Sequence, residues 1–406
     1  MATTRRAFME SMGMAGVGAV LAGSAETARG FARNGTLSVA CIGTGGRCRT
    51  LMASLAKVPN VRMVAVCDVW DSALEQGKKL ADPAAFVTKS YREILDRKDV
   101  DAVLIGTPDH WHVPIAVAAC DAGKDVYVEK PLTHDPAEGP IIIAAQDRTG
   151  RVVQVGQQQR SMPHIQAARD WIKAGRIGRV FKVAASWNRN TGSRFQRSPL
   201  GINPASVAWD DFLGSAPKQP FDEYKFRNWR WFWDFGGGIL TDLMVHWIDV
   251  AHWILELDAP LKAAAFGEHL AAPEVWETPD AIQCLLSYAG GVDVHFEGTF
   301  SNARHAARIE FMGPDGTIYV DRGAAILTPE GSKTAAESII LGTNPKRGAD
   351  FYDKPDGELL HLTDWVEAIR ARRKPSCPAE AGVVAAMSAH LGNRAFRSGQ
   401  VAVRPA

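Results

Sequence analysis

Several groups of residues in this 406-residue chain have the types and spacing that chemistry can use. The first is Gly43-Thr44-Gly45-Gly46-Arg47-Cys48, which follows an apolar run directly. Glycines at such a turn let backbone amides approach a pyrophosphate, and a helix starting there aims unpaired N–H groups and the positive end of its dipole at the anion. Asp68 closes the next apolar run, twenty positions beyond Cys48. A carboxylate there accepts hydrogen bonds from ribose hydroxyls and repels an additional phosphate, and no Arg immediately follows, so the expected cofactor is NAD rather than NADP. Cys48 stands where a third glycine is usual, which bears on helix-to-strand packing more than on phosphate contact. The second group is Asp242 and His246, four apart after the Gly236-Gly237-Gly238 turn, so that on a helix they share one face. Histidine is the side chain best tuned to take a proton near neutral pH. The third is the Trp-rich stretch of Asn228, Trp229, Arg230, Trp231, Phe232 and Trp233. Sugars offer C–H faces to aromatic rings and hydroxyls to Arg, Asn and Gln, so Asn228, Trp229, Arg230, Trp231 and Arg160, after Gln157-Gln158-Gln159, are candidate substrate contacts.

The elements that must position these groups can be read from periodicity. Near-continuous apolar runs at 37–42, 62–67, 102–105, 125–128 and 152–155 read as buried parallel strands, with helices over 72–80 and 113–122 among the crossovers. This predicts an α/β Rossmann domain with a doubly wound parallel sheet over 35–156. Residues 280–321 read instead as consecutive antiparallel strands, with turns at Ala289-Gly290-Gly291 and Pro314-Asp315-Gly316. Val292, Val294, Phe296 and Phe300 alternate with polar residues, so one face of that sheet is packed and the other wetter. Two helices, over 358–371 and 379–397, close the chain. Residues 157–406 are thus expected to form an α+β domain with a largely antiparallel open sheet, devoted to substrate binding and oligomerisation.

Lys and Arg total 46 against 45 Asp and Glu, a formal charge of +1. That balance gives no electrostatic reason for a nucleic-acid or anionic-membrane partner and favours a small molecule. The six cysteines show no metal-ligand spacing, so no metal is expected and buried free thiols are the reading. Thr4-Arg5-Arg6-Ala7-Phe8 followed by a weakly apolar run from Met12 to Ala22 reads as a twin-arginine signal over 1–28, with cleavage after Ala25 or Ala28. The expected location is the periplasm or another exported compartment, reached by a folded protein already carrying its cofactor.

Three further segments make the reading specific: Thr107-Pro108-Asp109-His110-Trp111-His112, Glu129-Lys130-Pro131, and Gly236 to Asp242 running on to His246 and Asp249. With these motifs the chain resembles the Gfo/Idh/MocA oxidoreductases, named for glucose-fructose oxidoreductase and inositol dehydrogenase, over nearly all of its length after the leader. The resemblance implies that Lys130 is the catalytic lysine, that Asp242 and His246 are the substrate-site pair, and that Thr107, Pro108, His112 and Glu129 border the cofactor together with Gly43, Thr44, Gly45, Gly46, Arg47 and Asp68. His110 and Trp111 receive no role. The implied activity is oxidation, or reversible reduction, of a secondary alcohol on a sugar, glycoside or cyclic polyol, such as the 3-position of a pyranoside, with tightly bound NAD. His246 takes the hydroxyl proton, Lys130 steadies the developing negative charge and Asp242 fixes a neighbouring hydroxyl. The alternative is a redox-assisted glycosidase working by oxidation, elimination and hydration; relatives of that kind replace the Glu-Lys-Pro motif, whereas this chain keeps Lys130. The resemblance also implies a homodimer or homotetramer.

Overall fold

The computed structural model describes residues 35–191, 197–341 and 356–405. The expected export signal over 1–28 lies outside them. The first sheet has six strands, β1 (Leu37–Ile42), β2 (Val61–Cys67), β3 (Phe86–Thr88), β4 (Ala102–Ile105), β5 (Asp125–Val128) and β6 (Val153–Val155), in the order β3-β2-β1-β4-β5-β6. Every pairing in it is parallel. The apolar runs are continuous because both faces are covered. Helices Gly46–Leu55 and Gly357–Ala371 pack on one face against Leu37, Val39 and Cys41, and helices His112–Asp121 and Glu138–Thr149 pack on the other against Ala40 and Ile42. β3, only three residues long, is the strand that periodicity did not reveal.

The chain also departs from a simple split at residue 156. Helix Gly357–Ala371, expected within the second domain, returns to the first sheet, where Trp365 is fully buried with its ring edge-on to Tyr127 at 5.6 Å. Covering the exposed apolar face of β1 and β4 is the physical reason for the return.

The second sheet comprises β7 (Lys182–Asn188), β8 (Lys262–Glu268), β9 (Ala281–Ser287), β10 (Asp293–Thr299), β11 (Ala307–Gly313), β12 (Gly316–Asp321), β13 (Ala324–Pro329), β14 (Glu337–Ile340) and β15 (Ala402–Val403). Their order is β14-β13-β12-β11-β7-β10-β9-β8-β15, antiparallel except where β10 runs parallel to β7. Val294 and Phe296 point inward and are fully buried, as the alternation predicts, each worth about 2 kcal/mol of burial. Helices Val245–Leu255 and Ala379–Ser398 cover that inner face. The outer face stays open, with Phe266 and Leu285 exposed. All six cysteines are buried free thiols, as expected. Among the described residues no helix is long and apolar enough to cross a membrane.

Candidate active site

The glycine turn follows β1 as predicted. Gly43 has φ of +79°, and a Cβ on it would lie 2.7 Å from the backbone nitrogen of Thr107, so only glycine lets the turn pass the loop after β4. Gly45 caps helix Gly46–Leu55 without a side-chain hydrogen bond, and the first turn holds no acidic residue. Space is open around Gly45 and Gly46, so the first N–H groups of the helix are left for an anion. Cys48 fits as its packing role requires: the missing side chain of Gly106 makes its room, since a Cβ there would sit 2.7 Å from the Cys48 Cβ.

This turn borders a cleft of about 320 Å³ that Asp68, Thr107 and Pro108 also line. Asp68 accepts a hydrogen bond from Trp70 N at 2.9 Å and lies 3.5 Å from Thr44 Oγ1, while burial pushes its carboxyl up to about 6. The open helix terminus at one end and a carboxylate at the end of β2 fit a dinucleotide.

A second cavity, of about 370 Å³, adjoins the cleft and shares Arg47, Gly106, Thr107, Trp229 and Arg230 with it. Lys130, Asp242 and His246, drawn from separate segments, all line it. Lys130, at the end of β5, donates from Nζ to the Asp242 backbone carbonyl at 2.6 Å and to Oδ1 at 3.0 Å. Arg230 Nε donates to the same Oδ1 at 3.1 Å. Burial opposes ionisation of Asp242, yet Lys130 and Arg230 outweigh it and hold the carboxyl well below its usual range. The stretch Leu240–Met244 is a π-helical turn running into helix Val245–Leu255, not the plain α-helix that the spacing implied; both residues still reach one cavity. His246 stacks on Trp187 with ring centroids 4.9 Å apart and 28° between planes. Burial, reinforced by Lys130, lowers its pKa well below the ordinary value, so the ring is neutral at pH 7. Neither ring nitrogen has a hydrogen bond among the described residues, which leaves a lone pair for substrate.

Other expected site residues land differently. The guanidinium of Arg47, on the glycine turn, is taken by carboxylates: it bonds Glu129 Oε1 at 3.0 Å and forms an ion pair with buried Glu358. Glu129 is held by Arg47 and by Gln158 Nε2 at 2.9 Å, and lines the second cavity rather than the first cleft. Burial would raise its carboxyl, but Arg47 and Lys130 lower it. The hydroxyl of Thr44 turns inward to donate to Ala73 O at 2.9 Å and is fully buried, so this residue can offer a ligand only its backbone. His112 is buried and lowered to about 4, with Nδ1 2.6 Å from Pro131 O and Nε2 3.0 Å from Thr107 O; it braces the Thr107 loop against the Lys130 loop. His110 and Trp111 both reach Phe212 O, at 2.8 and 2.9 Å, tying that loop to the second domain.

Two substrate candidates are corrected. Arg160 is buried in a two-pronged ion pair with Asp249, at 2.6 and 2.7 Å, and does not line the cavity. Asn228 donates to Tyr224 O at 3.1 Å, closing the end of helix Glu223–Arg227, and does not line it either. Trp229 and Trp231 do line it: the first lies under the Arg230 guanidinium at 4.1 Å, and the second is buried and stacked on Trp276 at 4.3 Å.

Sequence reasoning missed Trp187, Arg189, Phe300, Arg322 and Glu358, all on the cavity wall. Val183, Ala185 and Trp187 alternate inward along β7, and that period was the available signal for Trp187 and for Arg189 just past the strand. Arg322 and Glu358 carried none.

Both halves of the chain match family models. Residues 37–157 match "Oxidoreductase family, NAD-binding Rossmann fold", and residues 165–319 match "GFO/IDH/MocA C-terminal domain". A "Glycosyl hydrolase family 109 protein" of Solibacter usitatus is 38% identical over 144 residues, covering 32% of this chain and 33% of that protein. An inositol 2-dehydrogenase of Salmonella typhimurium is 24% identical over 362 residues, covering 87% of this chain and 92% of the relative. Among solved structures, levoglucosan dehydrogenase in complex with NADH and levoglucosan has the same fold, with a TM-score of 0.71, 18% identity and coverage of 91% and 100% of the two chains.

Proposed function

This chain belongs to the GFO/IDH/MocA oxidoreductase family, and on that premise we propose that it oxidises, or reversibly reduces, a secondary alcohol of a sugar, glycoside or cyclic polyol, such as the 3-position of a pyranoside. The observation that carries this reading is the shared wall: a cavity holding Lys130, Asp242 and His246 adjoins the cleft of the glycine turn. NAD, when bound, supplies the acceptor for the hydride leaving the alcohol carbon. Gly43, Gly45 and Gly46 would hold its pyrophosphate through backbone amides and Asp68 its adenosine ribose, with Thr107 and Pro108 lining the same cleft. His246, neutral and fixed by Trp187, accepts the hydroxyl proton on a ring nitrogen. Lys130 keeps one ammonium hydrogen beyond its two bonds to Asp242 and donates it to the hydroxyl oxygen, steadying the negative charge that grows there. The second oxygen of Asp242 has no hydrogen bond among the described residues and is available to a neighbouring hydroxyl. Trp229 and Trp231 supply the apolar wall for the ring's C–H face.

Screening pyranosides and inositols for ketone formation by mass spectrometry tests this. No ketone from any of them, with NAD shown to be bound, ends the dehydrogenase reading. The Solibacter relative favours one alternative, a redox-assisted glycosidase, which releases the aglycone without net NADH. We further propose Tat-dependent export, tested by N-terminal sequencing of the periplasmic protein, with tightly retained cofactor recycled by a second sugar. Self-association into a dimer or tetramer is assigned to the open outer face of the second sheet around Phe266 and Leu285. Light scattering on Phe266→Glu checks it.

A further inference from the structure

We propose that Arg227, carried by the second domain, binds the diphosphate of the dinucleotide and slows its release. This rests on the dehydrogenase reading above, which supplies the dinucleotide, and names a residue outside the Rossmann domain that holds it.

The first ground is how the cleft is walled. The glycine turn, Asp68 and Thr107 form one side, and Phe212, Phe226, Arg227 and Trp229 of the second domain form the other. That second wall is fastened to the first domain at two separate places. Beyond β2 and β3, Ala208 N donates to Val69 O at 2.8 Å and Lys89 Nζ donates to Ser206 O at 3.3 Å. Beyond β4, His110 and Trp111 both reach Phe212 O. Phe212 and Phe226 pack with ring centroids 5.0 Å apart, and Phe226 meets Trp70 edge-on at 5.7 Å. These ties fix where helix Glu223–Arg227 presents its last residue, so the backbone needs no reordering to place Arg227 against a ligand.

The second ground is the state of the guanidinium. Among the cations on the cleft wall, Arg47, Lys89 and Arg230 are each bonded to a carboxylate. Arg227 makes no hydrogen bond or ion pair among the described residues, with the wall carboxylate Asp211 or with any other. Its guanidinium lies over the ring of Trp70 at 5.1 Å, and Trp70 in turn donates its backbone N–H to Asp68. Burial, then Arg49, lowers the pKa of Arg227, and Asp68 raises it. Arg49 is bonded through Nη1 to Thr44 O in the glycine turn at 2.8 Å. The field at Arg227 therefore comes from the turn suited to a pyrophosphate and from the carboxylate suited to the adenosine ribose. A planar fork of uncommitted donors there matches a phosphate through two parallel N–H bonds. Arg92, the remaining wall cation, lies over its neighbour Tyr91 at 4.7 Å on the first domain's own helix Tyr91–Asp96.

The test uses ADP-ribose, which carries the diphosphate but accepts no hydride. Its calorimetric binding to the nucleotide-free full-length protein is compared between wild type and Arg227→Gln, together with NADH release on chasing with excess ADP-ribose, followed by fluorescence. The variant is expected to bind ADP-ribose about tenfold or more weakly, the worth of a charge-assisted hydrogen bond, and to release NADH faster by a similar factor. In the wild type alone, amide hydrogen exchange over residues 223–230 should slow when ADP-ribose binds, a readout that stands even when the variant fails to fold. Equal affinity in a folded variant, or wild-type binding with no slowing of exchange, overturns the proposal. So does a wild-type preference for NADP over NAD that disappears in Arg227→Gln, because it puts the guanidinium on the 2′-phosphate instead. ADP-ribose held through Arg227 by a protein that forms no ketone from any sugar supports the contact and ends the dehydrogenase reading. Ketone formation with ADP-ribose affinity indifferent to Arg227 does the reverse, so the two can fail separately.

Discussion

Asp242→Asn is the sharpest perturbation of the proposed chemistry, because it removes one negative charge and changes almost no volume. In the native protein Oδ1 balances Lys130 at 3.0 Å and Arg230 at 3.1 Å. At an effective dielectric near 20, one such contact is worth about 5 kcal/mol before desolvation is subtracted. The Lys130 and Asp242 side chains are 10% and 18% exposed, so little of this is screened, whereas Arg230 at 35% is discounted heavily. Breaking a buried pair from one side costs about 3 to 5 kcal/mol. The low end applies here, since Lys130 keeps its 2.6 Å bond to the Asp242 backbone carbonyl. Lys130 thus stays near its place but is no longer held to one geometry, and about 3 kcal/mol of transition-state stabilisation is lost, roughly a hundredfold in kcat/KM. The assay is initial rate of ketone formation for wild type, D242N, Lys130→Met and the double variant, with thermal unfolding of each as the control. The pair should couple by at least about 1 kcal/mol. Additivity of the two substitutions, or a D242N enzyme within about threefold of wild type, would refute the claim that Asp242 acts by positioning Lys130.

His246→Ala is expected to abolish turnover while NAD remains bound; full residual activity removes it from the role of base. Gly43→Ala places a methyl 2.7 Å from the Thr107 backbone at φ +79°, and should cost about 1 to 3 kcal/mol of stability and empty the dinucleotide site, read by quantifying nucleotide released on denaturation. The Asp68 carboxyl is raised by burial to about 6, so its contribution to the stability of the cofactor-free fold is present at low pH and lost as pH rises from the unfolded value through 6. Ribose binding needs the ionised form, so NAD affinity should weaken as pH falls below about 6, and Asp68→Asn should flatten that profile in calorimetric titrations. Arg160→Met leaves Asp249 buried without its partner and should destabilise the fold by about 3 to 5 kcal/mol in urea unfolding, with kcat per folded molecule unchanged; a selective rise in KM would restore Arg160 to the substrate site.

Much of this protein was legible before any fold was known, for a common physical reason. Strands covered on both faces must be apolar at successive positions, so β1, β2, β4, β5 and β6 appear as runs. A backbone that must pass within contact of another loop at positive φ must be glycine, so the turn at Gly43 is written in residue types. The four-residue interval between Asp242 and His246 survived the unexpected π-turn because both remain on one side of the winding.

What a side chain does with its polar atoms was settled only by partners that folding brings from elsewhere. Arg160 and Arg230 are both arginines near suggestive neighbours, yet one meets Asp249 in a sealed core and the other shares Asp242 at a cavity wall. Thr44 sits in the glycine turn with its hydroxyl spent on Ala73. Glu358, 311 positions from Arg47, reaches it only because the first sheet needs another helix to cover its apolar face. Periodicity reports which face is buried, because burial imposes a repeat; it is silent about which distant charge waits there, since a single pairing imposes none.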